Sequence, residues 1–135
     1  MNKPVMPTPQ AADALWSVDS TGAVRLQASI EEATGKVYFP PVPDASPLAS
    51  RFRPGRLGAE GVLYSYTIIH PGPKTGLRPF VLAYVDFKEK ARVFGRLRLA
   101  DETRRPELGM HLVVGLEDKP DGGQRYFFTE GAAND

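Results

Sequence analysis

A chain of 135 residues with 41% hydrophobic and 24% charged side chains has the length and composition of one globular domain, which argues against wholesale disorder. The absence of cysteine excludes disulfides, thiolate zinc sites and thiol nucleophiles. No run approaches the about 20 apolar residues of a membrane span, and the first residues lack the apolar core of a secretory signal. We therefore expect a cytoplasmic protein without membrane contact.

The net charge of +1 is unevenly distributed along the chain. Residues 51–98 hold ten basic and three acidic side chains, so this segment carries +7 and the remainder carries −6. Such an asymmetry favours an anionic partner for the middle of the chain. The alternative is a solvated strand face on which basic side chains are merely exposed.

The first third of the chain predicts a lead-in followed by a small hairpin. Three prolines among residues 1–10 predict a mobile lead-in, and residues 11–16 predict a short N-terminal helix that docks onto the rest of the protein. Residues 23–30 alternate in the manner of a strand, and residues 36–39 form a second short strand. Residues 42–50 predict a loop.

The centre of the chain consists of two strand-like runs that flank a proline-rich and glycine-rich excursion. Residues 62–69 and 80–87 are rich in β-branched and aromatic side chains, whereas residues 70–79 contain two glycines and three prolines. We predict a strand pair whose excursion meets any ligand. Further candidate strands cover residues 51–57, 92–99, 111–116 and 125–129.

Short strands joined by tight turns favour an antiparallel barrel. Turn-forming residues occupy positions 57–61 and 119–123, and a helical turn is expected within residues 101–108. Five or six strands fit an OB-type barrel. The alternative is a β-sandwich, which usually needs about seven strands.

Five short motifs occur in an order that resembles a known family. They are GKVYFPP at 35–41, GVLYSYTIIH at 61–70, RPFVLAYV at 78–85, GRL at 95–97 and ELGM at 107–110. Together they resemble the OB-fold, acyl-CoA-associated proteins called domain of unknown function thirty-five (DUF35). The resemblance covers residues 16–129 and implies a rubredoxin-like zinc ribbon followed by an OB-fold barrel.

The resemblance places the four zinc-binding cysteines of that ribbon on other residue types in this chain. The positions are Glu31, Thr34, Ser46 and Ala49. Because these side chains cannot complete a structural zinc site, we predict a metal-free, degenerate ribbon and no zinc cofactor.

The predicted fold class is therefore mainly β, with a short N-terminal helix, a small degenerate zinc-ribbon-like hairpin and an OB-fold β-barrel. The predicted organisation is a lead-in with the helix over residues 1–22, the ribbon over 23–50, the barrel over 51–130 and a tail over 131–135.

Side chains suited to intrinsic catalysis are scarce. Without cysteine there is no thiolase-type nucleophile, and no G-x-S-x-G elbow surrounds a serine. The two histidines, His70 and His111, form no recognisable motif, and His111 is expected to be structural or merely exposed. We predict no catalytic residue.

Candidate ligand-binding residues lie in and beside the excursion and in the strand after it. His70 lies where a strand meets the excursion, and it either faces a ligand or caps the barrel mouth. Within residues 92–98 the two-residue period places three arginines and a phenylalanine on one face, which suits single-stranded nucleic acid, a nucleotide-bearing ligand or an outward barrel face. The same period places Tyr64 and Tyr66 on one shared face, as either core or stacking residues, and we expect core residues. The candidates are His70, Lys74, Arg78, Phe80, Arg92, Phe94 and Arg96.

The family resemblance implies a non-catalytic accessory subunit of a thiolase-like or hotdog-hydratase acyl-CoA enzyme. Lys74 and Arg78 would contact the phosphates of coenzyme A or acyl-CoA, or would instead dock on an acidic patch of a partner. One alternative is a single-stranded nucleic-acid-binding OB-fold module, for which the near-neutral net charge is low. Another is a stand-alone enzyme that acts on acyl-CoA through His70.

Overall fold

Two β-structures, a small sheet and a barrel, make up the chain in a computed structural model that describes residues 15–101 and 103–131. Two one-turn 3-10 helices, Ala49–Arg51 and Pro73–Thr75, lie in the connections. The nine described strands are β1 (Trp16–Val18), β2 (Val24–Glu31), β3 (Val37–Tyr38), β4 (Phe52–Arg56), β5 (Glu60–Ile69), β6 (Phe80–Phe87), β7 (Arg92–Arg98), β8 (His111–Asp118) and β9 (Gln124–Glu130).

The small sheet is organised around β2, which pairs in antiparallel fashion with β1, β3 and β4. The turn from β1 to β2 is fixed by Asp19, whose carboxylate accepts hydrogen bonds from the Thr21 hydroxyl at 2.5 Å and the Ala23 N–H at 3.1 Å. These bonds, chiefly the one from the Thr21 hydroxyl, lower the pKa of Asp19 to about 2.

The barrel is closed and has the strand order β5-β6-β7-β9-β8. Neighbouring strands are antiparallel except for β7 and β9, which run parallel and pair at Leu97 with Phe128 and at Arg98 with Thr129. Closure returns β8 to β5 through Glu60, Gly61 and Val62. Short strands that alternate apolar and polar residues form such a barrel because closure removes the exposed edges of the sheet.

A single hydrophobic core joins the small sheet to the barrel. Leu26 and Ala28 of β2 are buried in one cluster with residues of all five barrel strands. Phe39 packs edge-on against Tyr126 with ring centroids 5.8 Å apart, and the Nε of Arg25 donates to the carbonyl oxygen of Leu57 at 2.6 Å. The buried barrel-strand residues of the cluster are Leu63, Ala83, Val85, Phe87, Val93, Leu97, Leu112, Val114 and Phe128.

A β-bulge in β5 separates two tyrosines that a strict two-residue period places on the same face. The pairing with β6 shifts between Leu63 and Ser65, so the extra residue reverses the alternation. Tyr64 is consequently 51% exposed, whereas Tyr66 packs against the core. The prediction that both tyrosines are core residues is correct for Tyr66 and wrong for Tyr64.

The strands predicted from sequence are confirmed to within a few residues, as is the mainly β architecture with a barrel. The position of β4 differs: it pairs with β2 in the small sheet, although the sequence-based boundary at residue 51 places it in the barrel. Hydrophobic alternation identifies a strand, but it does not reveal which neighbour that strand will pair with.

The short helices expected from sequence are not found where the structure describes the chain. Trp16 begins β1, a strand that the sequence did not predict because it spans three residues, and residues 1–14 lie outside the described part. Residues 101 and 103–108 form bends, turns and irregular structure. Among the described residues, no helix is long and apolar enough to cross a bilayer.

Candidate functional site

The outer face of β6 and β7 carries aromatic side chains that the barrel does not use for its core. Because Ala83 and Val85 point inward, the intervening Tyr84 points outward, and the same alternation places Phe94 outward on β7. Tyr84 and Phe94 are paired across the two strands, with ring centroids 5.0 Å apart. They are 44% and 48% exposed. The bulge in β5 adds Tyr64 beside them.

Two arginines of β7 lie over rings on this face. The Arg92 guanidinium is 3.4 Å from the centroid of the Tyr64 ring, and the Arg96 guanidinium is 4.3 Å from that of Phe80. Such cation–π contacts hold long side chains in one orientation. We define the aromatic flank as Tyr64, Phe80, Tyr84, Arg92, Phe94 and Arg96.

Arg92 is also part of an ion pair. Its Nε and one terminal nitrogen donate to the two carboxylate oxygens of Asp86 at 2.6 and 3.0 Å. This hydrogen bonding to Asp86 raises the pKa of Arg92 above its ordinary value. The guanidinium is therefore held between a ring and a carboxylate, and its charge is largely compensated within the chain.

Arg98 lies at the end of β7, outside the aromatic flank. Its ion pair with Glu117 of β8 crosses β9, the strand that runs parallel to β7. Arg98 contacts the Phe127 ring and donates to Glu117, which also accepts from Arg125 Nε at 2.6 Å. Burial alone would raise the pKa of Glu117, but the hydrogen bonds from Arg125 and Arg98 outweigh it, and the pKa lies below its ordinary value. Arg98 therefore helps to join strands.

The excursion at residues 70–79 is an ordered loop at one end of the flank. The Thr75 hydroxyl donates to the carbonyl oxygen of Gly72 at 2.8 Å and accepts from the Leu77 N–H at 3.1 Å. Gly76 has a φ of 70°, the left-handed conformation that glycine adopts without strain. His70, Lys74 and Arg78 are all exposed on this loop.

The predicted site residues fall into two groups in the structure. Phe80, Arg92, Phe94 and Arg96 lie together on the outer face of β6 and β7, as the two-residue period indicates for β7. His70, Lys74 and Arg78 lie in the excursion that connects β5 to β6.

Sequence reasoning missed Tyr64, Tyr84 and Asp86 as members of this face or its ion pair. The sequence holds no strong signal for the bulge that exposes Tyr64. Asp86 and Arg92, by contrast, lie equally far from Glu89 along the sequence. A hairpin whose turn is centred on Glu89 brings the two side chains opposite each other. That symmetry was a usable signal.

A cleft lies at the other end of the strands, away from the excursion. It has a volume of about 550 Å³, is open to solvent and includes His111, whose Nδ1 is 3.7 Å from Glu60 Oε1. None of the predicted ligand-binding residues lines it. Its lining residues are Gly58, Ala59, Glu60, Gly61, Val62, Asp86, Phe87, Lys88 and His111.

The four positions that the family resemblance aligns with zinc ligands carry side chains that do not fit a structural zinc site. The Thr34 hydroxyl donates to Glu31 Oε1 at 2.6 Å and accepts from the Lys36 N–H at 3.2 Å. Ser46 Oγ accepts from the Leu48 N–H at 3.1 Å, and Ala49 has no side-chain ligand atom. These polar side chains close local turns, and zinc favours thiolate or imidazole ligands.

Comparisons with known proteins agree with an OB-fold. Residues 56–117 match a family model described as "ChsH2, C-terminal OB-fold domain". A solved structure described as "Ltp2-ChsH2(DUF35) aldolase" aligns with a TM-score of 0.60 and 22% sequence identity, covering 78% of this chain and 84% of that chain. A search of curated proteins finds no match. The predicted OB-fold barrel is thereby confirmed.

Proposed function

We propose that this protein is a non-catalytic accessory subunit of an acyl-CoA enzyme, because its residues 56–117 match the model of the ChsH2 C-terminal OB-fold domain. The DUF35 resemblance seen in the sequence motifs points to the same family. The structural neighbour is named as an aldolase with a DUF35 component, which supports an enzyme partner. The proposed partner is a thiolase-like or hotdog-hydratase enzyme.

The observation that carries this proposal is the aromatic flank on the outer face of β6 and β7. Tyrosine, phenylalanine and arginine are enriched at protein interfaces, and here Tyr64, Tyr84 and Phe94 are exposed on strands of the barrel. Several large rings on one face form the kind of apolar patch that marks an interaction site. A subunit that presents such a surface is suited to docking.

The excursion supplies the proposed contact with coenzyme A. Lys74 and Arg78 are exposed on a loop that its own hydrogen bonds hold in shape. Basic side chains on such a loop suit the 3′-phosphate or the pyrophosphate of acyl-CoA. His70, at the start of the same loop, would lie beside the ligand.

The test is affinity capture of the tagged full chain from a lysate of the cells that encode it, with and without coenzyme A, followed by mass spectrometry. We expect a thiolase-like or hydratase-type enzyme in the eluate, in larger amount with coenzyme A. A matched capture with Lys74→Glu and Arg78→Glu isolates the contribution of the excursion. Recovery of no acyl-CoA enzyme in either condition would contradict the proposal.

A second candidate function is single-stranded nucleic-acid binding. OB-folds bind oligonucleotides on the face of their second and third strands, and these strands are β6 and β7 in this barrel. Tyr84 and Phe94 are exposed on that face and offer surfaces on which bases can stack. Fluorescence anisotropy with a labelled oligonucleotide tests this function. Binding that falls steeply with salt would favour it over the accessory subunit.

A further inference from the structure

We propose that the aromatic flank docks an acidic, aliphatic segment of the partner protein, with the acidic side chains at the Arg96 end. This inference rests on the proposed function, because the partner is taken to be the acyl-CoA enzyme. Beyond the proposed function, it specifies the aromatic flank as the docking surface. It also specifies the chemistry and the orientation of the partner segment that binds there.

The exposed rings form one continuous patch across three strands. Tyr84 lies opposite Phe94 on β7 and opposite Ser65, the neighbour of Tyr64, on β5. Val62, 37% exposed, extends the patch along β5 and lies opposite Asp86. Aliphatic side chains pack well on such a surface because each contact removes apolar area from water.

The charges along the flank change from one end to the other. Near the turn between β6 and β7, the carboxylate of Asp86 compensates the positive charge of Arg92 through two hydrogen bonds. Near the excursion, Arg96 stacks on Phe80, and among the described residues no carboxylate is paired with it. Lys74 is exposed on the adjoining loop. The positive charge available to a partner is therefore concentrated at the Arg96 end.

This distribution fits a polypeptide better than a nucleic-acid strand. A bound strand places a phosphate at every nucleotide and benefits from cations along its whole path. In this barrel Arg92 and Arg98 at the two ends of β7 are already held by Asp86 and Glu117. A segment with aliphatic side chains over Tyr84 and Phe94 and carboxylates beside Arg96 matches both properties of the surface.

The flank is also ordered before any partner arrives. The contacts of Arg92 with Tyr64 and Asp86, and of Arg96 with Phe80, restrict long side chains in the free protein. Ordering a flexible side chain at an interface costs about 0.5–1.5 kcal/mol. A flank whose arginines are already restrained loses less free energy in this way when it binds.

The experiment is photo-crosslinking in cells that express the full chain with p-benzoylphenylalanine at position 94. The matched control carries the same group at Tyr38, a 41% exposed tyrosine of the small sheet. We expect position 94, and not position 38, to cross-link a protein through a peptide rich in Asp and Glu.

Arg96→Glu should lower the yield of this cross-link about tenfold through charge repulsion. Lys36→Glu, beside the small sheet, and Arg96→Lys should preserve most of the yield.

The outcomes separate this inference from the proposed function. A cross-link to nucleic acid, no cross-link from position 94, a peptide without acidic residues or a yield that Arg96→Glu leaves unchanged would each overturn the docking surface. The identity of the cross-linked protein tests the function separately. An acidic peptide from a protein without acyl-CoA activity supports the surface and overturns the proposed partner, and one from an acyl-CoA enzyme supports both.

Discussion

At the scale of single residues, Gly95 faces the barrel interior where β7 passes two aromatic rings. A Cβ added to Gly95 would lie 2.7 Å from Phe128 Cε2 and 2.9 Å from Tyr126 Cε1. Phe128 is fully buried and has no room to move outward. The glycine is therefore required by close packing against the rings.

We expect Gly95→Ala to lower the free energy of unfolding by about 1–3 kcal/mol because it overpacks the core. Chemical denaturation monitored by circular dichroism measures the change. Gly72→Ala is the matched control, since Gly72 has an ordinary φ of −62° and nothing within 4 Å of an added Cβ. Equal unfolding midpoints for the two variants would show that the rings can rearrange at little cost.

Glu117 makes the stability of the barrel dependent on acid pH. Its pKa is lower in the folded chain than in the unfolded chain, because the bonds from Arg125 and Arg98 outweigh the effect of burial. Its contribution to the free energy of unfolding is therefore complete above the unfolded pKa of about 4.5 and is lost as pH falls through the lower folded pKa.

We expect Glu117→Gln to destabilise the protein by about 1–2 kcal/mol at pH 7. Unfolding curves at pH 7 and pH 3 should differ less for the variant than for the wild type. An unchanged pH dependence would contradict this role.

At the scale of elements, the bulge in β5 gives two nearby tyrosines opposite functions. Tyr64 is turned toward solvent, where Arg92 stacks on its ring, and Tyr66 packs against the core. A residue inserted into one strand of an antiparallel pair changes the face of all residues that follow it. One irregularity thus leaves Tyr64 on the aromatic flank and turns Tyr66 toward the core.

We expect Tyr66→Ala to lower the free energy of unfolding by about 2–3 kcal/mol through the cavity it leaves. Tyr64→Ala should cost less than about 1 kcal/mol, the scale of an exposed cation–π contact. Chemical denaturation of the two variants side by side measures the difference. Similar losses would mean that the two side chains share one environment and that the bulge is absent in solution.

The arrangement of the candidate site was predictable from sequence only in part. The arginine and aromatic positions of β7 follow from its two-residue period, and the structure places them on one outward face. The contribution of Tyr64 was not predictable, because a bulge depends on the packing of both strands. The neutralisation of Arg92 by Asp86 required the register of the hairpin. Periodicity indicates which face a side chain occupies, whereas pairing decides what it touches.

At the scale of the whole molecule, the small sheet and the barrel are held together by apolar packing. Leu26 and Ala28 share the barrel core, and Phe39 contacts Tyr126. The composition and alternation of the sequence predicted a mainly β fold with a barrel. They did not assign β4 to the small sheet, because pairing partners depend on tertiary contacts that local patterns do not contain.

We expect unfolding of the whole chain to be one cooperative transition that a metal chelator leaves unchanged. The reason is that Glu31, Thr34, Ser46 and Ala49 offer no set of zinc ligands, while the small sheet shares its core with the barrel. Thermal unfolding with and without EDTA, together with metal analysis of the purified protein, measures this. A lower midpoint in EDTA would mean that a metal stabilises the sheet through ligands other than these four residues.

The parallel pairing of β7 with β9 has a consequence for the order in which the barrel assembles. It joins Leu97 to Phe128, far apart in sequence, whereas β5, β6 and β7 form successive antiparallel pairs, as do β8 and β9. Contacts distant in sequence carry a larger loop-closure cost, so this junction should form after the local pairs. In pulse-labelling hydrogen exchange during refolding, amides of the β6–β7 pair should gain protection before those at the junction. The pairing of β5 with β8 also joins residues far apart in sequence. Until both junctions have formed, the barrel stays open and its core is accessible to other chains.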